Sequence, residues 1–381
     1  MSSKLVKYEF LKKLTKEELK QIQYDDIKNN IPGANVNYED PIYDCNLYRV
    51  TYKTTIPEKC NKSILVSGLI SIPITNNIKL SKTKLSMVSY QHGTVLGKYD
   101  VPSFIENSFE TRLVLAQLCG FGYIVIGADY AGLGISKECD SYIVLDCQSQ
   151  NSLDLYYASL EILKLENIEL DNFYICGWSQ GGLVSLAFLE KLEKYKININ
   201  AGATAASQND AYALVSQILN FPRSIDASWL PSVFVLTIFS FENYYNQCIS
   251  KHMIKPNMYN IAKRIYLKDP TLKPEDFNFT IQELLEEKYF DPSYFKDSKY
   301  GQIAIKTQPY KFIIKTKLNM HYGEIDESIT AGTCQLCKFY QDSLGNKNIV
   351  NTISEGIDAD HRRTFARAIP KWREFFKINK I

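Results

Sequence analysis

The chain has 381 residues, 45% of them apolar and 23% charged, with a formal net charge of +2. That is enough chain to bury a full core, either as one large domain with an insertion or as two modest domains, and the composition is that of an ordinary globular protein. The near-neutral balance gives no footing for nucleic acid or an anionic surface, and no stretch approaches the roughly 20 apolar residues of a membrane helix.

The start, Met1-Ser2-Ser3-Lys4-Leu5-Val6-Lys7-Tyr8-Glu9, lacks the apolar h-region of a secretory signal. Nine cysteines are an odd number and lie scattered, so the chain reads as a reduced, cytoplasmic protein. The spacings Cys45/Cys60 and Cys139/Cys147 leave bridges open, and with them an exported form. Cys334-Gln335-Leu336-Cys337 is a lone C-x-x-C on a predicted helix, which fits packing or redox better than zinc.

Residues 1–45 form a polar, partly helical N-terminal segment. Within it, Leu11, Leu14, Leu19 and Ile22 give residues 9–22 the spacing of a surface helix. Residues 48–56 and 64–74 read as an antiparallel strand pair at a sheet edge. Strand and helix signals then alternate: strand 85–91, helix 108–118 stopped by Gly120 and Gly122, strand 123–128, helix 152–165, strand 172–176, helix 180–195, strand 198–205. This βαβ rhythm predicts an α/β fold, a mostly parallel central sheet with helices on both faces. It breaks over residues 209–308, which hold the aromatic run Trp229-Leu230-Pro231-Ser232-Val233-Phe234 and several prolines. That segment reads as an inserted, mainly helical cap lying over the carboxyl ends of the strands. The rhythm resumes with strand 312–320, helix 328–340, strand 348–353 and helix 362–376, so the core comprises residues 46–208 and 309–381.

The most informative stretch is Phe173-Tyr174-Ile175-Cys176-Gly177-Trp178-Ser179-Gln180-Gly181-Gly182, followed by the helical pattern Leu183, Val184, Leu186, Ala187, Leu189. Strand, tight Gly-x-Ser-x-Gly turn and helix are the context in which a serine is presented for attack on a carbonyl. The free N–H groups of the following helix face the same point and can hold an oxyanion. A serine hydroxyl needs a base, and the base needs an orienting carboxylate. Of four histidines, His361 lies in the loop after the last strand, where a base belongs in the chain order serine, acid, histidine. The preceding loop, Tyr322-Gly323-Glu324-Ile325-Asp326-Glu327, carries three carboxylates. Asp326 is the expected acid, Glu324 the alternative, and Glu327 is expected to face solvent or to start the next helix. The N–H of Gln180 is one expected oxyanion donor. The second is expected from Gln91-His92-Gly93-Thr94, through the Thr94 N–H or, second to it, that of Gly93, with His92 bracing the loop. Asp129, in Asp129-Tyr130-Ala131-Gly132-Leu133-Gly134, is expected to be a structural anchor.

Taken in order, these four motifs resemble the α/β-hydrolase superfamily. Within it, Tyr90-Gln91-His92-Gly93-Thr94 and Asp129-Tyr130-Ala131-Gly132-Leu133-Gly134 are similar to esterases related to the secretory lipases. The resemblance spans roughly residues 64–205 and 312–378 and implies the α/β-hydrolase fold, a Ser179, Asp326, His361 triad, a helical cap, and a lipase-like carboxylic ester hydrolase acting on a small-molecule or lipid-like ester. No metal or organic cofactor is implied. A serine peptidase, a thioesterase or an acyltransferase is an alternative on the same triad, and a non-catalytic binding protein is an alternative of another class.

Overall fold

The central strands alternate side chains between two apolar faces, and that alternation dictates the layers. In the computed structural model, which describes residues 3–75 and 83–380, Met87, Ile126, Phe173 and Ile175 enter one buried cluster, whereas Val88, Val125, Tyr174 and Cys176 enter another on the opposite face. A sheet apolar on both faces must be covered on both. Among the described residues it has nine strands in the order β1-β2-β3-β5-β4-β6-β7-β8-β9. These are β1 Leu5–Leu14, β2 Asp44–Ile56, β3 Lys62–Ile74, β4 Thr83–Gln91, β5 Ile124–Ala128, β6 Ile168–Trp178, β7 Ala201–Ala205, β8 Leu318–Tyr322 and β9 Val350–Ser354. The pairs β1·β2, β2·β3 and β3·β5 are antiparallel, and every pair from β5 to β9 is parallel.

The helices are α1 Lys16–Asn30, α2 Phe109–Gln117, α3 Leu145–Leu165, α4 Gln180–Lys194, α5 Ala211–Asn220, α6 Leu230–Tyr245, α7 Ser250–Met253, α8 Tyr259–Tyr266, α9 Ile281–Leu284, α10 Pro292–Asp297, α11 Lys299–Lys306, α12 Ala331–Ser343 and α13 His361–Ile378. Leu153 and Ile162 of α3 and Val184 and Leu189 of α4 cover the first face. Leu19 of α1, Leu113 of α2, and Phe365 and Trp372 of α13 cover the second. Each such side chain, once removed from water, stabilises by roughly 1.5–3 kcal/mol. Helices α5 to α11 lie between β7 and β8 and share a third cluster built on Phe234, Phe241 and Tyr300, which reaches the core through Leu183 and Ile143. No helix among the described residues is long and apolar enough to cross a membrane.

Three expectations differ from the structure. Residues 9–14 are strand, not helix: β1 pairs with β2 along the sheet edge, with the Tyr8 and Tyr48 rings 5.5 Å apart. The helix begins only at Lys16, where Thr15 and Glu18 form a reciprocal capping box. Consequently β2 and β3 are not the outermost pair. The strand predicted over 312–320 starts at Leu318, because the amides of Lys315 and Thr316 donate to the Glu193 carboxylate at the end of α4 instead of to a neighbouring strand. All nine cysteines are unpaired, those of the two candidate bridges included.

Candidate functional site

At the end of β6 the chain must reverse within one residue to start α4. Ser179 does this at φ 56° and ψ −120°, a backbone state that costs a non-glycine residue about 1–3 kcal/mol, comparable with one buried side chain. The Ser179 amide donates to the Ala205 carbonyl at the end of β7 at 2.9 Å, which anchors the turn. Gly181 is required by space: a Cβ there would overlap the Gln91 carbonyl. The end of β4 therefore lies directly against the turn. Ser179 is 8% exposed, and its hydroxyl makes no hydrogen bond to any described residue. Gln180 is the first residue of α4, so its N–H has no acceptor within the helix.

The loop after β8 places Asp326, 1% exposed, beside His361, the first residue of α13 and 4% exposed. His361 Nδ1 lies 2.9 Å from Asp326 Oδ2 and 3.1 Å from Oδ1. Oδ1 also accepts the amides of Ser328 and Ile329, each at 2.8 Å, which fixes the carboxylate. Because Nδ1 faces a carboxylate it carries the proton, and Nε2 is the nitrogen left for other work. Burial alone would push the His361 pKa down, and the positive end of α13 acts in the same sense. The Asp326 charge, its hydrogen bond and the nearby Glu327 overcome this, so the pKa is raised above the ordinary 6.5. Glu327 is not merely a solvent-facing acid: its Oε2 accepts the His361 amide at 3.0 Å. Glu324 is exposed and accepts from the Ser354 hydroxyl, so it takes no part in the pair. The Trp178 indole donates to the His361 carbonyl at 3.3 Å, and its ring centroid is 5.2 Å from the imidazole. The histidine is thereby packed against the residue preceding Ser179. The Trp229 ring, from the segment between β7 and β8, lies 6.3 Å from the imidazole.

The loop after β4 flanks the same turn. The Gly93 amide is taken by the Glu110 carboxylate at 3.1 and 3.2 Å, so Gly93 is not a free donor. The Thr94 N–H has no acceptor among the described residues, and its hydroxyl meets the Tyr142 hydroxyl at 2.8 Å. Burial pushes His92 down to about 4, so the ring is neutral. Nδ1 lies 2.7 Å from the Gly93 carbonyl, Nε2 lies 3.4 Å from the Asp129 carbonyl, and the ring stacks on Tyr130. Asp129 is buried and accepts the Ser103 amide at 2.9 Å and the Ser67 and Ser103 hydroxyls. Of the remaining histidines, His321 is tied to Glu355 at 2.6 Å and His252 is exposed.

Sequence reasoning missed Glu110, which burial raises to about 7 against the Gly93 amide and the Tyr90 hydroxyl. One signal pointed to it. Glu110 shares the helical face of Leu113, Val114 and Gln117, a face that has to pack inward. Trp229 and the contact from Glu327 carried no such signal, since both arise from the relative placement of distant loops.

A mostly parallel sheet with this strand order, a strained Ser turn between β6 and α4, and helices inserted after β7 define the α/β-hydrolase fold. The chain is similar over 99% of its length to a protein of Legionella pneumophila provisionally assigned as a hydrolase, at 20% identity, TM-score 0.83 and 98% coverage of that chain. It is also similar to LipA, the rice cell wall degrading esterase of Xanthomonas oryzae, at 15% identity, TM-score 0.83 and 99% coverage of both chains. Candida antarctica lipase A aligns at 13% identity and TM-score 0.65, with 94% of this chain and 77% of that one covered. No protein-family model matches the sequence, and no curated protein matches it.

Proposed function

We propose that the protein is a carboxylic ester hydrolase that works through an acyl-enzyme. The observation that carries this reading is the buried Asp326–His361 pair at 2.9 Å, packed through Trp178 against the strained Ser179 turn. The names of two proteins sharing the fold, an esterase and a lipase, support the choice of an ester.

Ser179 Oγ attacks the ester carbonyl while His361 Nε2 takes its proton. Asp326 holds the imidazole with its proton on Nδ1 and stabilises the imidazolium that forms. Charge gathers on the former carbonyl oxygen, which the N–H groups of Gln180 and Thr94 bind. Collapse breaks the bond to the alcohol oxygen, and His361 returns the proton to the departing alkoxide. Water, deprotonated by His361, then cleaves the acyl-serine and releases the acid. The substrate is a small-molecule or lipid-like ester, selected by the insertion of residues 209–308 acting as a cap, with Trp229 beside the imidazole.

The test is hydrolysis of p-nitrophenyl esters of graded chain length by the wild type and Ser179→Ala. Loss of a nucleophile in such a unit costs about 10⁶-fold in kcat. Turnover by Ser179→Ala at the wild-type rate would overturn the assignment.

A further inference from the structure

The loop after β4 is gripped at both ends by buried ionisable side chains. At one end Glu110, 4% exposed and in the first turn of α2, holds the Gly93 amide with both carboxylate oxygens and also accepts the Tyr90 hydroxyl at 3.1 Å. At the other end Lys268, which follows α8 in the inserted segment, donates to the Val95 carbonyl at 3.0 Å. The Lys268 ammonium is itself paired with Asp140 at 2.8 Å, with each side chain 4% exposed. Tyr266 adds a hydrogen bond from its hydroxyl to the Asp140 carbonyl at 2.8 Å. A carboxylate and an ammonium buried to this degree are costly unless their partners are fixed. The partners here include two backbone groups of one three-residue stretch, 93–95. Two amides lie between them, those of Thr94 and Val95, and neither has an acceptor among the described residues.

We propose that Glu110 and Lys268 are positioning residues that clamp residues 93–95 from opposite ends, so that the Thr94 N–H is held ready for the developing oxyanion. This rests on the ester-hydrolase reading above. Neither side chain touches substrate. Glu110 works by turning the Gly93 amide away from the site, and Lys268 by pinning the Val95 carbonyl, so the intervening amides, that of Thr94 among them, have one orientation. A donor that is already oriented costs no reorganisation when charge appears on the carbonyl oxygen. Since Lys268 belongs to the insertion, the clamp also links that segment to the oxyanion loop. Removal of either grip then acts on the transition state more than on ground-state binding.

The experiment compares full-length wild type, Glu110→Ala, Glu110→Gln and the double variant Lys268→Met/Asp140→Asn, which strands no buried charge. Rates are normalised to active sites titrated with a phosphonate, so partial unfolding does not count as lost catalysis. For Glu110→Ala and for the double variant, kcat should fall about 10- to 100-fold with KM changed less than about threefold, below the roughly 10²–10³-fold cost of deleting a donor outright. Inhibition by a trifluoromethyl ketone, which must form an oxyanion, should weaken in proportion. Glu110→Gln keeps an acceptor for the Gly93 amide and should restore most of kcat. Hydrogen exchange of the peptide covering residues 90–98, in which Glu110 holds the Gly93 amide and Asp100 that of Gly97, should be slower in the wild type than in the two disruptive variants. Unchanged kcat per active site, a loss confined to KM, or equal protection of that peptide in all variants would overturn the clamp. Absence of Ser179-dependent turnover in the wild type would instead overturn the ester reading, and the exchange data would still decide whether the two side chains hold the loop.

Discussion

His361 begins a helix, is buried and still has a pKa raised above 6.5, and the order of its causes makes the outcome checkable. Burial disfavours the imidazolium, and the Asp326 charge and hydrogen bond more than offset it. In the proposed role of general base, His361 must be neutral, so kcat/KM should fall on the acid side with a midpoint above 6.5. Asp326→Asn removes the compensating charge and leaves burial in control. Its acid limb should therefore move to lower pH, and kcat should drop by about 10⁴-fold, since the amide no longer selects the Nδ1-protonated ring. Glu327→Gln should move the limb the same way by less, and a limb that stays in place in both variants would contradict this account of the histidine. At this scale chain order and glycine spacing made the placement of residues readable, namely the strained turn at Ser179 and the pairing of Asp326 with His361. It was not readable for Glu327, whose contact with the His361 amide is made between separate loops. Glu110 stood between these cases, since its helical face was visible but its partner, the Gly93 amide, was not.

Among the elements, the β6, turn, α4 unit depends on close backbone approach. Gly181 lies where any Cβ would overlap the Gln91 carbonyl, and Gly177 lies where one would overlap the Gly181 carbonyl. Gly181→Ala should therefore lower stability by about 1–3 kcal/mol, the usual cost of overpacking, and should displace the end of β4 and the loop that follows it. Thermal unfolding and ester turnover should fall together, whereas Gly332→Ala in α12, where no atom lies within 4 Å of an added Cβ, should leave both near wild type. Helices and strands with a clean period were legible, α4 and β5 among them. Where the period was ambiguous, tertiary pairing decided. The apolar spacing of residues 9–22 suits a helix, but β2 offers an open edge and the Thr15 to Glu18 capping box starts the helix later. Likewise residues 312–317 have strand composition, yet Glu193 satisfies the amides of Lys315 and Thr316 before a strand can form.

Over the whole molecule, the sheet supplies loops that converge at one end, and residues 209–308 are inserted between β7 and β8. The break in βα rhythm marked that insertion, but its contacts with the core were not visible in the chain. They include the Ala227 amide on the Glu327 carbonyl at 3.0 Å, the Tyr244 hydroxyl on the Cys139 carbonyl at 2.7 Å, and the Lys268–Asp140 pair. Trp229 should therefore govern selectivity and not chemistry. Trp229→Ala should change the preference among ester chain lengths by about tenfold or more, the scale set by apolar contacts in a pocket, while phosphonate labelling of the serine persists. The central claim is that Ser179 is the nucleophile served by His361, and its most direct measurement is peptide mapping after reaction with a fluorophosphonate, alongside residual ester turnover. The account predicts one adduct per chain, on the peptide carrying Ser179, with turnover lost in step with labelling and with labelling slowed by orders of magnitude in His361→Ala. An adduct on another residue, or turnover that survives full modification of Ser179, would contradict it.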